Sequence, residues 1–508
     1  MNLLLLAVVV YPMALLSVSL WRSRTLKGTD EFMVAGRSVP VALLVGTLVC
    51  TWIGSGSLFG GAGLAYRTGI AELWFSFGGW AGLIVAFFIA GRVRRIAQYT
   101  VPDLLEKRYN AAARVLGTIA IILAYVTIAA YQFRGGGWIL AIVTDGAISP
   151  EMGMYITAAV IVLFTALAGM MSIVTVDIFN GTIITLGVLF ALPWMVGEVG
   201  GIDAVLAGLP EQHTTLMGGH NVLWVFGVAL PTFLLILGES GMYQKFFSAK
   251  DEGSARKAVA GMVVGIVLIE TTLALLAIVG RVAYPELLTG TNVVGREASE
   301  TIILHIAANG LPVLGGALLL SAAVAIVLST GNTFLLIPST NVTRDIYQRF
   351  INPQASERSM LLVQRICIAG FGGLALLLIT QFDSVLAMAL YAYSLVGASL
   401  TPALLAAFLW KRVTAAGGVA CIAGGLGTIV GVRLLNTLGV PFTATLGGTE
   451  FDFASSDYIV VPGVIMSVGL LVVVSLLTPP SPREKWEPFF TPRGSGLDAA
   501  IREVGVES

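Results

Sequence analysis

Thirteen separate runs of about twenty or more apolar residues divide this chain, and that repetition limits its fold more than any other feature. At roughly 1.5 Å per residue, such a run crosses a hydrocarbon layer as one helix. Inside lipid no water satisfies the backbone, so spanning elements are helices or closed barrels. These runs have helix length, not strand length. Composition agrees. Of the residues, 56% are hydrophobic and 11% charged, where a soluble domain carries roughly 25% charge. The mean hydropathy is +0.89. The expected fold is therefore an all-α integral membrane protein of about thirteen transmembrane helices, with the lipid bilayer as solvent.

A formal net charge of zero gives no support to a nucleic-acid partner. Cys50, Cys367 and Cys421 all fall in apolar runs, without metal spacing. The first run follows Met1 with no charged leader or clear cleavage site, and is read as a retained span. Positive charge collects on alternate connections. Six segments hold 24 of the 29 lysines and arginines, among them Arg24, Lys27, Arg37, Lys245, Arg493 and Arg502. With thirteen spans, this bias puts the N-terminus outside and the C-terminus in the cytoplasm. A bacterial inner membrane is the expected location. The longest polar stretches, 197–220, 283–310, 434–458 and the tail from 479, leave no room for a large soluble domain.

Two spans carry matching flaws. The second (39–66) runs Cys50-Thr51-Trp52-Ile53-Gly54-Ser55-Gly56-Ser57 and then Gly60-Gly61-Ala62-Gly63. Glycine costs about 1 kcal/mol in a helix, so this cluster marks either an opening or a close helix contact. The seventh (221–247) contains Pro231 and then Gly238-Glu239-Ser240-Gly241. A carboxylate at membrane depth is by default functional. Each flawed span begins a block of five, 39–196 and 221–411, and an odd count gives the blocks opposite orientation. Paired interrupted helices opening inverted repeats point to a secondary transporter with a site at the membrane midplane. Around the blocks lie a first helix and loop (1–38), two additional helices (412–478) and a cytoplasmic tail (479–508).

Polar residues inside other spans mark the candidate site. Ser329, Asn332 and Thr333 are three and four residues apart in the ninth span and share one face. Their oxygens suit a hard cation such as sodium; alternatively, they bond back to the preceding turn. Asp177 in the sixth span, one turn before Asn180, lines an ion route or makes a structural hydrogen bond. Glu270 in the eighth poses the same question. In the fourth span Tyr131, Arg134 and Trp138 share a face beside three glycines. Arginine's planar fork fits a solute carboxylate, or it pairs with a buried acid such as Glu239.

At these residues the chain resembles the sodium:solute symporter family, with its sodium-coupled proline, pantothenate, sugar and choline transporters. The resemblance runs from the first span to about the eleventh. It rests on Gly63-Leu64-Ala65-Tyr66 with Gly69-Ile70, on Thr100 to Tyr109, on Gln244 to Asp251, and on Leu328-Ser329-Thr330 with Thr343-Arg344-Asp345-Ile346-Tyr347. It implies a LeuT-type 5+5 inverted repeat with two interrupted helices. It also implies a sodium site made by the carbonyls of Cys50, Ile53 and Ile326 and the hydroxyls of Ser329 and Thr330. Asp177, Asn332 and Thr333 would form a second ion site or release path, although Asn332 departs from the hydroxyl of members that have one. By position, Trp52, Ser57, Tyr131, Arg134, Glu239, Tyr243 and Tyr391 are solute-binding candidates. The stretch Thr51 to Gly56 looks like the choline branch, which Arg134 does not fit.

The expected function is sodium-coupled symport of a small organic solute, carboxylate-bearing or zwitterionic: an amino acid, a monocarboxylate or a pantothenate-like acid. Sodium is the coupling ion, and no organic cofactor is expected. A solute-sensing receptor on the same fold, or sugar or choline symport, are the alternatives; the short tail argues against a sensor. An HExxH motif, a metal cluster and a nucleophile–base pairing are all lacking in the sequence, so an enzyme is not expected.

Overall fold

Helices occupy every apolar run of the chain in the computed structural model, which describes residues 3–23, 39–96, 98–167, 170–288, 296–446 and 449–490. Residues 16, 19–23, 170–175, 296 and 297 are described by backbone alone. Arg24, Lys27, Arg37, Arg493 and Arg502, counted in the charge bias, lie outside the described residues.

In chain order the main helices are α1 (Leu3–Ser23), α2 (Val41–Trp52), α3 (Ala62–Thr68), α4 (Leu73–Ile96), α5 (Val101–Arg108), α6 (Ala111–Val143), α7 (Pro150–Leu167) and α8 (Met170–Val199). There follow α9 (Val222–Gly238), α10 (Ser240–Ser248), α11 (Glu252–Ala283), α12 (Val313–Asn341), α13 (Glu357–Ile379), α14 (Val385–Leu409), α15 (Ala415–Thr437), α16 (Val460–Leu477) and α17 (Arg483–Phe490). A two-stranded antiparallel hairpin, β1 (Thr443–Leu446) and β2 (Thr449–Asp452), pairs Thr443 with Asp452 between α15 and α16. Eleven helical runs among the described residues are long and apolar enough to cross a membrane, and Leu3–Leu15 and Val41–Trp52 are shorter apolar helices. One of the eleven, Gly56–Ile96, is divided by Gly69 at φ +66, so the thirteen sequence runs are all accounted for.

Burial sorts the helices into layers. In α14, 89% of the apolar window is buried, whereas the windows in α8, α13 and α16 are only 28% buried. The first is a core helix; the others present side chains such as Leu362, Ile366, Leu377, Ile465 and Leu477 outward, as lipid contact requires. α9 lies along α4, and α12 packs against α6 and α8. Small residues set the closest approaches. A Cβ on Gly78 of α4 would come within 2.1 Å of the Ala229 carbonyl oxygen of α9.

Both flawed spans are broken where glycine and polar residues cluster. α2 stops at Trp52, Ile53 takes an extended backbone (φ −71, ψ 96), and helix resumes with a wide turn over Gly56–Gly61. The α9–α10 break falls on Glu239, also extended (φ −69, ψ 110). Each broken span is the first of five helical spans, as the sequence led us to expect.

Candidate functional site

A helix that ends inside the membrane leaves its last carbonyls without amide partners. At the end of α2, the Thr330 Oγ1 of α12 lies 3.4 Å from the Cys50 carbonyl oxygen and 3.2 Å from that of Ile53. Ile326 stands one turn before Thr330 on the same helix, and its side chain is fully buried. Ser329 is fixed differently. Its hydroxyl donates to Asp177 Oδ1 at 2.5 Å, which leaves the oxygen lone pairs free for a cation. Thr47 donates to Asp177 Oδ2 at 2.5 Å, and the Cys50 thiol donates to the Asp177 carbonyl at 3.1 Å. Asp177 thus orients the hydroxyl ligand while α8 is tied to α2 and α12.

The second group of ion candidates is only half assembled. Asp177 meets Ser329, but Asn332 accepts from Thr165 of α7 at 3.0 Å, away from Asp177. The Thr333 hydroxyl is buried without a hydrogen-bond partner among the described residues.

Three of the seven solute candidates, Trp52, Tyr131 and Glu239, line one central cavity beside Gly54, Thr330, Phe334, Met242 and Tyr393. Its volume is about 20 Å³, room for a single water. A cavity of this size has no room for an organic solute. Tyr393, two residues beyond the expected Tyr391 and so on the other side of α14, provides the hydroxyl here, 3.5 Å from that of Tyr131. At position 56 a Cβ would lie 2.4 Å from the Tyr393 hydroxyl oxygen, so a larger residue would displace that hydroxyl.

The other four candidates stand elsewhere. Ser57 donates to Glu270 Oε1 at 3.1 Å. Tyr243 bridges the α9–α10 break, donating to the Leu237 carbonyl at 2.9 Å. Tyr391 packs on Phe382 in a separate cavity with Asp383 and Arg433. Arg134 donates to the carbonyls of Ile379 and Phe382 at 2.9 and 2.8 Å, closing the end of α13. Both bonds come from Nη2, while Nη1 is buried without a hydrogen-bond partner among the described residues.

Glu239 is also committed. Its carboxylate caps α10, accepting from Gly241 N at 2.7 Å and Met242 N at 2.5 Å, and from the Tyr125 hydroxyl at 2.6 Å. Of the two half-helix N-termini at mid-depth, the one on α10 is thus filled by the protein's own anion. The break after α2 is braced instead by Gln132, whose Oε1 accepts from Ser55 N at 3.1 Å and Ser55 Oγ at 2.5 Å. Gln132 is fully buried, and its Nε2 has no partner among the described residues. Glu270 collects three donors: Trp52 Nε1 at 2.9 Å, Trp80 Nε1 at 2.8 Å and Ser57.

Sequence reasoning passed over Gln132, Tyr125, Thr47 and Tyr393. Gln132 carried a signal, an amide inside an apolar span. Lys245 needs correction: it counted as a loop cation, but its side chain is 1% exposed and belongs to α10.

A model of the sodium:solute symporter family matches residues 32–425. The osmoregulated proline transporter OpuE of Bacillus subtilis is 23% identical over 481 residues, covering 92% of this chain and 94% of the relative. The sodium/proline symporter of Escherichia coli K12 is 24% identical over 496 residues, covering 92% of both. Among solved structures, a Na+-coupled sialic acid symporter superposes with a TM-score of 0.77 at 15% identity, covering 95% of this chain and 99% of that one. MhsT in complex with L-phenylalanine superposes with a TM-score of 0.53 at 12% identity, covering 85% and 97%. These two likenesses place the chain in the LeuT fold.

Proposed function

The chain belongs to the sodium:solute symporter family, and from that premise we propose that it carries a small zwitterionic solute inward with sodium by alternating access. The observation that carries this reading is the break after α2, where the Cys50 and Ile53 carbonyls meet Thr330, next in sequence to the Asp177-oriented Ser329. Sodium takes oxygen ligands, and five are expected here: the carbonyls of Cys50, Ile53 and Ile326 and the hydroxyls of Ser329 and Thr330. Such an ion bridges α2, in the first block, to α12, in the second. Its binding energy therefore depends on how the blocks 39–196 and 221–411 sit against each other, which is what coupling requires. Sodium from outside favours the widened cavity, solute binds beside it, and both leave inside.

The solute class follows from which polar groups remain free. Glu239 already fills the N-terminus of α10. The free Gln132 Nε2 beside the α2 break then suits the solute carboxylate. Glu239 lines the central cavity with Tyr131 and Tyr393, and its negative charge suits an amino or imino group. An amino- or imino-acid-like solute satisfies both ends, and the proline transporters among the relatives agree with it.

The positive charge on alternate loops supports a bacterial inner membrane with the N-terminus outside and the C-terminus in the cytoplasm. An impermeant thiol label on a cysteine placed in 483–490 should react only after the cells are opened; reaction in intact cells would reverse the orientation. For the function itself, purified protein is heated in sodium or potassium with amino acids, carboxylates, sugars and quaternary amines. A zwitterion such as L-proline should stabilise it in sodium alone. An equal shift in potassium would sink the proposal.

A further inference from the structure

Lys245 is the one fully buried lysine among the described residues, and its ammonium lies in a cradle of oxygens. Its Nζ donates to the Thr47 carbonyl at 2.7 Å and to Thr51 Oγ1, and lies 3.9 Å from Asp177 Oδ2. Carbonyl, hydroxyl and carboxylate oxygens are the ligands that a hard cation collects. Asp177 meanwhile shows its other oxygen, Oδ1, to Ser329, the hydroxyl assigned above to sodium. One carboxylate therefore faces a free-ion site on one edge and a tethered cation on the other. Both partners of this pair are about 1% exposed, so solvent screening between them is slight.

We propose that the Lys245 ammonium takes the place of a second coupling ion at Asp177, so that the chain binds and couples a single sodium. This inference rests on the sodium-symport reading above. Within this pair one carboxylate meets one counter-charge; Glu239, the other buried acid that acts on Lys245, has its carboxylate held by the α10 amides and the Tyr125 hydroxyl. A sodium ion added at Asp177 would leave an uncompensated positive charge in a poorly screened interior, where it is costly. Of the α12 candidates only Ser329 hydrogen-bonds Asp177: Asn332 turns to Thr165, and the buried Thr333 hydroxyl has no hydrogen-bond partner among the described residues. Being covalently attached, this cation is never released during the cycle, and it holds α10 against α2 throughout.

Equilibrium binding of radioactive sodium to the purified full-length protein tests this directly. The wild-type chain should bind one sodium with a Hill coefficient of one. Lys245→Met, which keeps the length but not the charge, should bind a second sodium, and Lys245→Met/Asp177→Asn should lose that second ion again. A merely structural lysine would lower stability without raising the count. Two sodium ions on the wild type would overturn the inference and leave the symport reading standing; none would overturn both. A count still at one in folded Lys245→Met would also overturn it. Should Lys245→Met fail to fold, the wild-type count decides, with Lys245→Arg expected to remain at one.

Discussion

At the proposed ion site each side chain contributes a definite number of lone pairs. Ser329 gives its proton to Asp177 and keeps its lone pairs. Replacing it with alanine removes a ligand and leaves Asp177 Oδ1 short of a donor. A buried hydrogen-bonding group lost in this way costs about 1–3 kcal/mol. Sodium affinity in Ser329→Ala should therefore fall about 10- to 100-fold, read as the half-saturating sodium in uptake or thermal shift. An unchanged half-saturation would remove Ser329 from the site. Glu270 makes a different case, because its two carboxylate oxygens serve three donors from two tryptophans and Ser57. Glu270→Gln puts an amide NH2 against an indole N–H, so its melting temperature should drop by several degrees, while Ser76→Ala should leave this cluster intact.

Helix breaks and packed helix faces carry the next set of consequences. The Glu239 carboxylate accepts two amides at the start of α10 and the Tyr125 hydroxyl, whose oxygen in turn accepts from Ser240 N. Glutamine has one acceptor oxygen where two are used. Loss of such a cap costs about 0.5–2 kcal/mol. Glu239→Gln and Tyr125→Phe should each lower the melting temperature, and the double variant should be less unstable than the sum, because the two share one network. At Gly78, the added methyl of alanine would strike the Ala229 carbonyl and Thr232, an overpacking cost of about 1–3 kcal/mol between α4 and α9.

The connection between α8 and α9 supplies a pH test at the same scale. His213, on the turn Glu211–Thr214, bonds the Tyr66 carbonyl through Nε2, while Nδ1 is buried and unpartnered among the described residues. Burial holds this imidazole below its ordinary value, the Tyr66 carbonyl opposing and Arg281 adding to the effect. Its contribution to stability is thus complete above about pH 6.5 and is lost as the pH falls below that. Amide exchange over 209–220 should quicken in mild acid in the wild type and not in His213→Gln; identical pH profiles would exclude the histidine. The breaks themselves were legible in sequence, because Gly54-Ser55-Gly56 and Gly238-Glu239-Ser240 put poor helix formers and polar groups at mid-span. Hydroxyl spacing and family resemblance singled out Ser329 and Thr330, and the structure brings Thr330 to the Cys50 and Ile53 carbonyls. The solute wall was much less so: Arg134 against Tyr391 and Tyr393 is decided by which way α6 and α14 face, and apolar runs all round a buried helix carry no such signal. Lys245 was misjudged for a related reason, since a charge near the end of a span counts as a loop charge until tertiary packing buries it.

For the whole molecule, the ion count sets how far a solute is concentrated. With one sodium and a net-neutral solute, 100 mV contributes about 2.3 kcal/mol and a tenfold sodium gradient about 1.4 kcal/mol. Together they support roughly 500-fold accumulation; a second sodium would square that limit. The central cavity, about 20 Å³, is too small for an organic solute, so on the alternating-access proposal it widens as the two blocks move. Cross-linking α2 to α12 near the site should then abolish uptake while preserving the fold. The central claim is that sodium at the α2 break drives solute uphill. The most direct measurement is accumulation of labelled L-proline and related zwitterions in proteoliposomes under an inward sodium gradient. Uptake above equilibrium that vanishes in potassium, in a sodium ionophore and in Ser329→Ala/Thr330→Ala is the predicted result. A zwitterion that the protein binds but merely equilibrates, at the same rate with and without sodium, would contradict it.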